Sequence, residues 1–391
     1  MIKNIQSNLS NWKDWYHTYH KEITLTSNVP VKNKKLYHEL EQASQNYDGI
    51  LTYAEYLQIE QFGTNGYYST SDHHGKTDVD ERWSLALAQY CLQNHHETII
   101  EFGCGTSELG VLCCKEYKRL TNKKLTWIGV EIDKSIHKNI YEHFKNNNLS
   151  DCIGAVVTTL DQLPNLNNAL IVFPYSLDNI PPHIFINTKQ TDSYPDALLG
   201  IQIKKGMLSE MIVPQETLHK KGIKLQNGMF THHELTCNLS RWNIRKGQRT
   251  YIATDAFMTL YQYAKKFTDA TILIIDEFRN DPWNFGLGNI GIPKSLYEKN
   301  LSCNERERYY KESGRHNLYY PLYRNSLYKF LSRIGYRSIT IDVEQKQAAL
   351  LTNRAWLSVG KSYTTQAFTA KSFVDAKLSS LPIPSPVRKL V

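Results

Sequence analysis

Two hydrophobic rhythms run along this chain. Between residues 98 and 175, short apolar runs alternate with stretches whose apolar positions have helical spacing. "TIIEFG" is an apolar run closed by glycine. "SELGVLCCKEYKRL" follows it with helical spacing, and Ser107 is placed to cap that helix. "LTWIGVEID" predicts a second buried strand, "SIHKNIYEHFKNN" its helix, and "CIGAVVTTL" and "ALIVFPY" two further strands. Such alternation predicts an α/β fold with a parallel sheet covered on both faces.

Around this segment the rhythm changes. Upstream, "LYHELEQASQ" and "YAEYLQIEQF" are helix-like patches in a polar, aromatic stretch, and helical spacing resumes from Glu81. From Asp178 to about Gly247 the alternation stops. "LLGIQIKKGMLSEMIVPQ" has the pattern of a hairpin within otherwise mixed sequence. "YIATDAFMTLYQYAKKF" predicts a helix and "ATILIIDEF" a strand, and "SLYKFLSRIGYRSITIDVE" predicts one more of each. The organisation expected is an N-terminal helical or lid segment (1–90) and the first half of a sheet core (91–177). An inserted α+β subdomain (178–247), the second half of the core (248–378) and a proline-rich tail (379–391) follow.

Composition narrows the class. Of the 391 residues, 41% are hydrophobic and 21% charged, which allows a sizeable packed core. The net charge of +8 comes without a block of like charges, so an acidic partner is permitted but nucleic acid is not expected. Seven cysteines form an odd set with no C-x-x-C pair, which argues against a disulfide framework and against a structural zinc site and fits a reducing compartment; a cytoplasmic location is the expectation. No stretch approaches the roughly 18 apolar residues of a membrane span. The histidine pairs His73–His74, His95–His96 and His232–His233 lack ligand spacing, read as exposed polar loops, and predict no metal.

The candidate chemistry starts at "TIIEFGCGTSELG". Two glycines after a strand let the backbone approach a ligand, and a helix start supplies free N–H donors. A dinucleotide loop needs a third glycine where this chain has Glu108, whose carboxylate would repel a pyrophosphate. Glu101, ahead of the glycines, suits a cationic or hydroxyl-rich ligand. Glu131 closes the next strand, where a ribose diol is held.

The combination E-x-G-x-G with that second acid resembles the class I S-adenosylmethionine (SAM)-dependent methyltransferases, which implies a Rossmann-like sheet. Further stretches resemble, in the same order, the MidA family, whose mitochondrial members assist complex I assembly. They are "FGTNGYYSTSDHHGKTDVDERWSLALAQY", "IIEFGCGTSELG", "ALIVFPYSLDNIPPHIFI", "YIATDAFMTLYQYAKKFTDATILIIDEF" and "HNLYYPLYRNSLYKFLSRIGY". The coverage runs from about residue 50 to 350.

The resemblance implies Glu101, Gly103, Cys104 and Gly105 around the methionine end of SAM. It implies Glu131 on the ribose, Ile132, Leu160 and Asp161 at the adenine, and Thr77 and Asp78 closing the site. S-adenosylhomocysteine (SAH) is the implied product. It also implies an arginine in a protein as acceptor, but Pro174 and Tyr175 stand where the family has Asn-Glu, and Asp276, Glu277 and Phe278 where it has Asp-Tyr-Gly.

Transfer needs a base where the acceptor carries a proton. The candidates are Asp178 first, then Tyr175, Glu277, His183 and Asp276. Each has a plainer alternative: Asp178 a turn residue, Tyr175 a pocket wall, Glu277 a solvated loop acid. Three functions stay open: methylation of a protein or peptide side chain, methylation of a small molecule, and non-catalytic SAM binding in assembly. A homodimer is compatible with all three.

Overall fold

The described residues begin with β1 (Val29–Pro30), α1 (Lys34–Ser44), β2 (Ile50–Thr52), α2 (Tyr53–Phe62) and the short α3 (Tyr67–Thr70). Next come α4 (Glu81–Gln93), β3 (Thr98–Phe102), α5 (Glu108–Thr121), β4 (Thr126–Val130), α6 (His137–Asn146), β5 (Ile153–Val157) and β6 (Ala169–Pro174). Then follow β7 (His183–Ile186), β8 (Ala197–Lys204), β9 (Met207–Ile212), α7 (Gln215–Lys220), β10 (Ile223–Gln226), β11 (Met229–His232) and β12 (Leu235–Asn238). The last are β13 (Arg249–Ile252), α8 (Thr254–Lys266), β14 (Thr271–Ile275), β15 (Phe278–Arg279), α9 (Cys303–Lys311) and β16 (Leu322–Tyr323). This computed structural model describes residues 25–70, 81–166, 168–174, 176–189, 194–232, 235–239, 246–247, 249–252, 254–267, 270–275, 278–279, 303–315, 322–323 and 327.

The chain divides into two compact units, one of residues 72–180, 256–281 and 321–391, the other of residues 1–71, 181–255 and 282–320. The first holds a five-stranded sheet in the order β14–β6–β3–β4–β5, every pairing parallel. Side chains alternate across a strand. On one face Ile99 and Glu101 of β3 lie with Trp127 of β4 under α5, and Cys113 and Cys114 are buried there in the same core. On the other face Phe102 and Phe173 pack against Tyr263 of α8, with ring centroids 5.2, 5.8 and 5.3 Å apart. Helices therefore cover both faces, as the alternation predicts.

Two local expectations change. Ser107 does precede the helix, but at φ +65° its hydroxyl turns to the Thr106 carbonyl and makes no cap. The first two residues of "YIATDAFMTLYQYAKKF" are not helical: Tyr251 and Ile252 belong to β13, because pairing with β7 overrides local propensity, and the helix starts at Thr254.

The second unit is more strand-rich than the sequence suggests. An antiparallel sheet runs β1–β9–β8–β7–β13, with β2 also on β8, and β10–β11–β12 form a second sheet. The predicted hairpin is β8–β9, turned by Lys205 and Gly206 at φ +51° and +79°. Asn33 caps α1, and Thr52 with Glu55 forms a capping box on α2.

A buried polar knot ties α9 to this sheet. Tyr310 donates to Glu210 Oε1 (2.6 Å) with its oxygen 3.2 Å from the Tyr53 hydroxyl, Tyr56 pairs with Ser313 (2.6 Å), and the Gly314 N–H donates to Glu60 Oε1 (2.7 Å). Burial pushes the Glu60 carboxyl up to about 8, against the Gly314 N–H and Tyr309 hydroxyl that favour its charged form. Native Glu60 thus keeps a proton that the unfolded chain has lost, so its contribution to stability falls as pH rises from about 4.5 to about 8. The wild-type melting temperature is expected to drop across this window more steeply than that of Glu60→Gln. For this fully buried group the difference in slope is at most about 1.4 kcal/mol per pH unit. Parallel thermal melts at pH 5.5 and 8 read the effect, and equal slopes would refute it.

Candidate functional site

The site is built at the carboxyl ends of β3, β4 and β6, all within the first unit. After β3 the backbone turns through left-handed conformations at Gly103 (φ +64°), Gly105 (φ +49°) and Ser107 (φ +65°). A methyl group on Gly103 would also stand a tight 3.0 Å from Ser176 Cβ, which adds to the preference of the left-handed backbone for glycine there. The loop is tied to its neighbours by short bonds. The Gly103 and Cys104 N–H groups donate to the Val130 carbonyl (2.8 and 3.3 Å), and the Gly105 N–H donates to Glu131 Oε2 (2.9 Å). His143 of α6 reaches the Thr106 carbonyl through Nδ1 (3.0 Å) and Glu108 through Nε2 (3.4 Å).

Glu131 sits half-buried just past β4. Its Oε1 accepts from the Asp133 N–H (3.0 Å) and its Oε2 from Gly105, while the His137 ring bonds its carbonyl (2.9 Å). Burial raises its carboxyl, and the two N–H groups oppose that rise. Beside it Ile132 is 55% exposed, a large apolar side chain facing outward. Leu160 is half-buried and Asp161 exposed in the turn that follows β5.

Glu101 is placed differently from these. Its carboxylate is fully buried, and Trp127 Nε1 donates to Oε2 (2.8 Å), while among the described residues no donor meets Oε1 with good hydrogen-bond geometry, although the Gly110 N–H also favours the charged form. Burial pushes this carboxyl up to about 8, and Glu131 adds to the rise. Cys104 is also fully buried, with its side chain in the sheet core, so only its backbone borders the loop. Asp178 is buried to 6% exposure in the turn after β6, and Asn179 Nδ2 donates to its Oδ1 (3.2 Å). His183 belongs to the other unit. Tyr175, Asp276, Glu277, Thr77 and Asp78 lie outside the described residues.

The sequence reading missed Trp127 and Ser176. Trp127 looked like any buried strand residue, and its hydrogen bond to Glu101 depends on strand register. Ser176 is buried against the glycine loop, with no hydrogen-bond partner for Oγ among the described residues.

These features suit a ligand with a cationic end, a diol and an apolar ring. Among the described residues buried Glu101 Oε1 has no donor of good geometry, each Glu131 oxygen retains a lone pair for a hydroxyl, and Ile132 offers an uncovered apolar face. The parallel sheet, its glycine loop after β3 and the acid closing β4 define a class I SAM-dependent methyltransferase. A model of the family described as "Putative S-adenosyl-L-methionine-dependent methyltransferase" matches residues 82–278, and the chain belongs to that family.

Two crystal structures from Burkholderia thailandensis share the fold. One is an uncharacterized protein, 15% identical, covering 78% of each chain with a TM-score of 0.52. The other, a member of the same superfamily bound to S-adenosyl-homocysteine, is 15% identical, covers 78% of this chain and 79% of its own, and has a TM-score of 0.51. Comparison with curated proteins finds no match. No helix among the described residues is long and apolar enough to cross a membrane.

Proposed function

We propose that this methyltransferase acts on a nitrogen or oxygen of a protein or peptide side chain. Asp178 carries the reading. It is a carboxylate almost closed to solvent, just past β6 and two residues from the Ser176 that packs on the glycine loop. A nitrogen or oxygen acceptor loses a proton on methylation, and Asp178 is the base proposed to take it. The preference for a protein acceptor rests on the resemblance to the MidA family.

SAM supplies an activated methyl group on sulfur. For its binding we assign Glu101 and the Gly103, Cys104 and Gly105 backbone to the methionine end. Glu131 is assigned to the ribose hydroxyls, Ile132, Leu160 and Asp161 to the adenine, and Thr77 and Asp78 to closure. Glu101 would meet the ammonium group, whose charge favours the ionised carboxylate that burial opposes. Glu131→Ala is expected to weaken SAH binding about 10- to 100-fold, the worth of charge-assisted hydrogen bonds. Calorimetric titration reads this loss, and unchanged affinity would remove Glu131 from the site. The buried free cysteines among the described residues support a reducing, cytoplasmic setting.

A second reading is methylation of a small molecule. It is favoured by Pro174 at the end of β6, where an arginine site of the MidA type has Asn followed by Glu. Labelled SAM added with the enzyme to a lysate separates the readings. Label in macromolecules supports the first, and label only in small molecules supports the second. SAH binding without transfer points to a non-catalytic assembly role, and absence of binding overturns all three.

A further inference from the structure

Two strand faces meet in the second unit. His183 and Phe185 lie on one face of β7, and Phe230 and His232 on one face of β11, since each pair is two residues apart. Phe185 and Phe230 meet edge-to-face at 4.9 Å, and both are fully buried. The imidazoles follow at the end of the same contact, with ring centroids 5.2 Å apart at 82°, and His183 lies 5.4 Å from Phe230.

Strand pairing adds a third group. Ile252 of β13 is the partner of His183, and α8 begins at Thr254, which brings Asp255 alongside. Asp255 Oδ1 lies 3.7 Å from His183 Nε2 and 3.6 Å from His232 Nδ1. One donor atom from each of the three residues lies within 4.8 Å of the others.

We propose that His183, His232 and Asp255 bind a divalent transition-metal ion of the zinc class. Both separations from Asp255 exceed ordinary hydrogen-bond length. Two bonds of about 2.0–2.2 Å to one ion at a tetrahedral angle set donor atoms about 3.4 Å apart, so a small side-chain rotation closes the set. Two imidazoles with one carboxylate are a donor set for zinc and its first-row neighbours; magnesium and calcium take oxygen ligands. The side chain of His183 is 2% exposed, that of His232 18% and that of Asp255 37%, so the ion has an apolar floor and a solvent side for a fourth ligand. Bound there, it joins β7, β11 and the start of α8. The sequence hides the set because its members are dozens of residues apart and none falls in a short ligand spacing.

The test uses the full chain stripped with a chelator and then titrated with cobalt(II) and zinc(II). The expected result is about one equivalent bound, a visible cobalt band of four-coordinate type, and a rise in melting temperature with zinc. His232→Ala and Asp255→Asn are each expected to lose at least about tenfold in affinity, while His95→Ala retains it. Both test residues are at least partly exposed, so these variants avoid the folding risk of replacing buried His183. Absence of stoichiometric binding overturns the proposal. So does binding that both variants keep, or that a hundredfold excess of magnesium abolishes.

Discussion

Trp127→Ala is expected to lower the free energy of unfolding by about 5 kcal/mol, a large part of what a typical domain has. Two losses add. Trp127 is fully buried, tilted against Phe144 with ring centroids 4.7 Å apart, and seated where a methyl group on Gly110 would clash with the indole nitrogen. Removing the ring therefore leaves a cavity between α5 and the sheet, worth about 3–5 kcal/mol. It also strips Glu101 of its hydrogen-bond donor, and a buried group so abandoned costs about 1–3 kcal/mol more.

Trp127→Phe keeps most of the volume and loses the donor, so about 1–2 kcal/mol is expected. Chemical denaturation followed by circular dichroism separates the cases. A loss under about 1.5 kcal/mol for the alanine variant would show that the site collapses and that the Glu101 contact contributes little. Because Trp127 and Glu101 also support the glycine loop, SAH affinity should weaken along with stability.

The second large effect falls on turnover. Asp178→Ala is expected to reduce kcat by about 10²- to 10⁴-fold, the range for removing a general base, with SAH affinity within about threefold of wild type. The split distinguishes a base from a turn residue. Asp178 stands in a turn, with Asn179 bonding its Oδ1, so a purely architectural role would show as lowered stability with activity per folded molecule preserved. Asp178→Asn keeps the shape and the capacity for turn hydrogen bonds while removing the base. Full activity in Asp178→Asn would end the catalytic assignment.

Much of the first unit could be read from the chain. Each strand there is a compact apolar run, each helix follows within a few residues, and a glycine loop marks where backbone turns and ligand meet. Local patterns of this kind survive folding because a parallel sheet buried on both faces needs continuous apolar strands. Thus β3, β4, β5 and β6 stand where the pattern puts them.

The second unit was legible only in pieces. Its sheet takes β1 and β2 from before residue 53, joins them to β8 and β9, and ties α9 beneath through Tyr310 and Glu210. Those partners are a hundred or more residues apart, and no local period records such a pairing. The same holds within the sites. Glu101, Gly103, Gly105 and Glu131 stood out by type and spacing. That Glu101 is sealed beneath the loop and bonded to Trp127 follows from the register of β3 on β4, which sets Ile99 opposite Trp127 and Glu101 opposite Gly129.

The chain by itself thus determined the fold class, the glycine turn and the acid that closes β4, because strand burial and left-handed backbone are local demands on residue type. Tertiary structure alone decided which carboxylates are sealed from water and which histidines share one aspartate. Burial and ligand geometry depend on strands brought together from distant parts of the sequence.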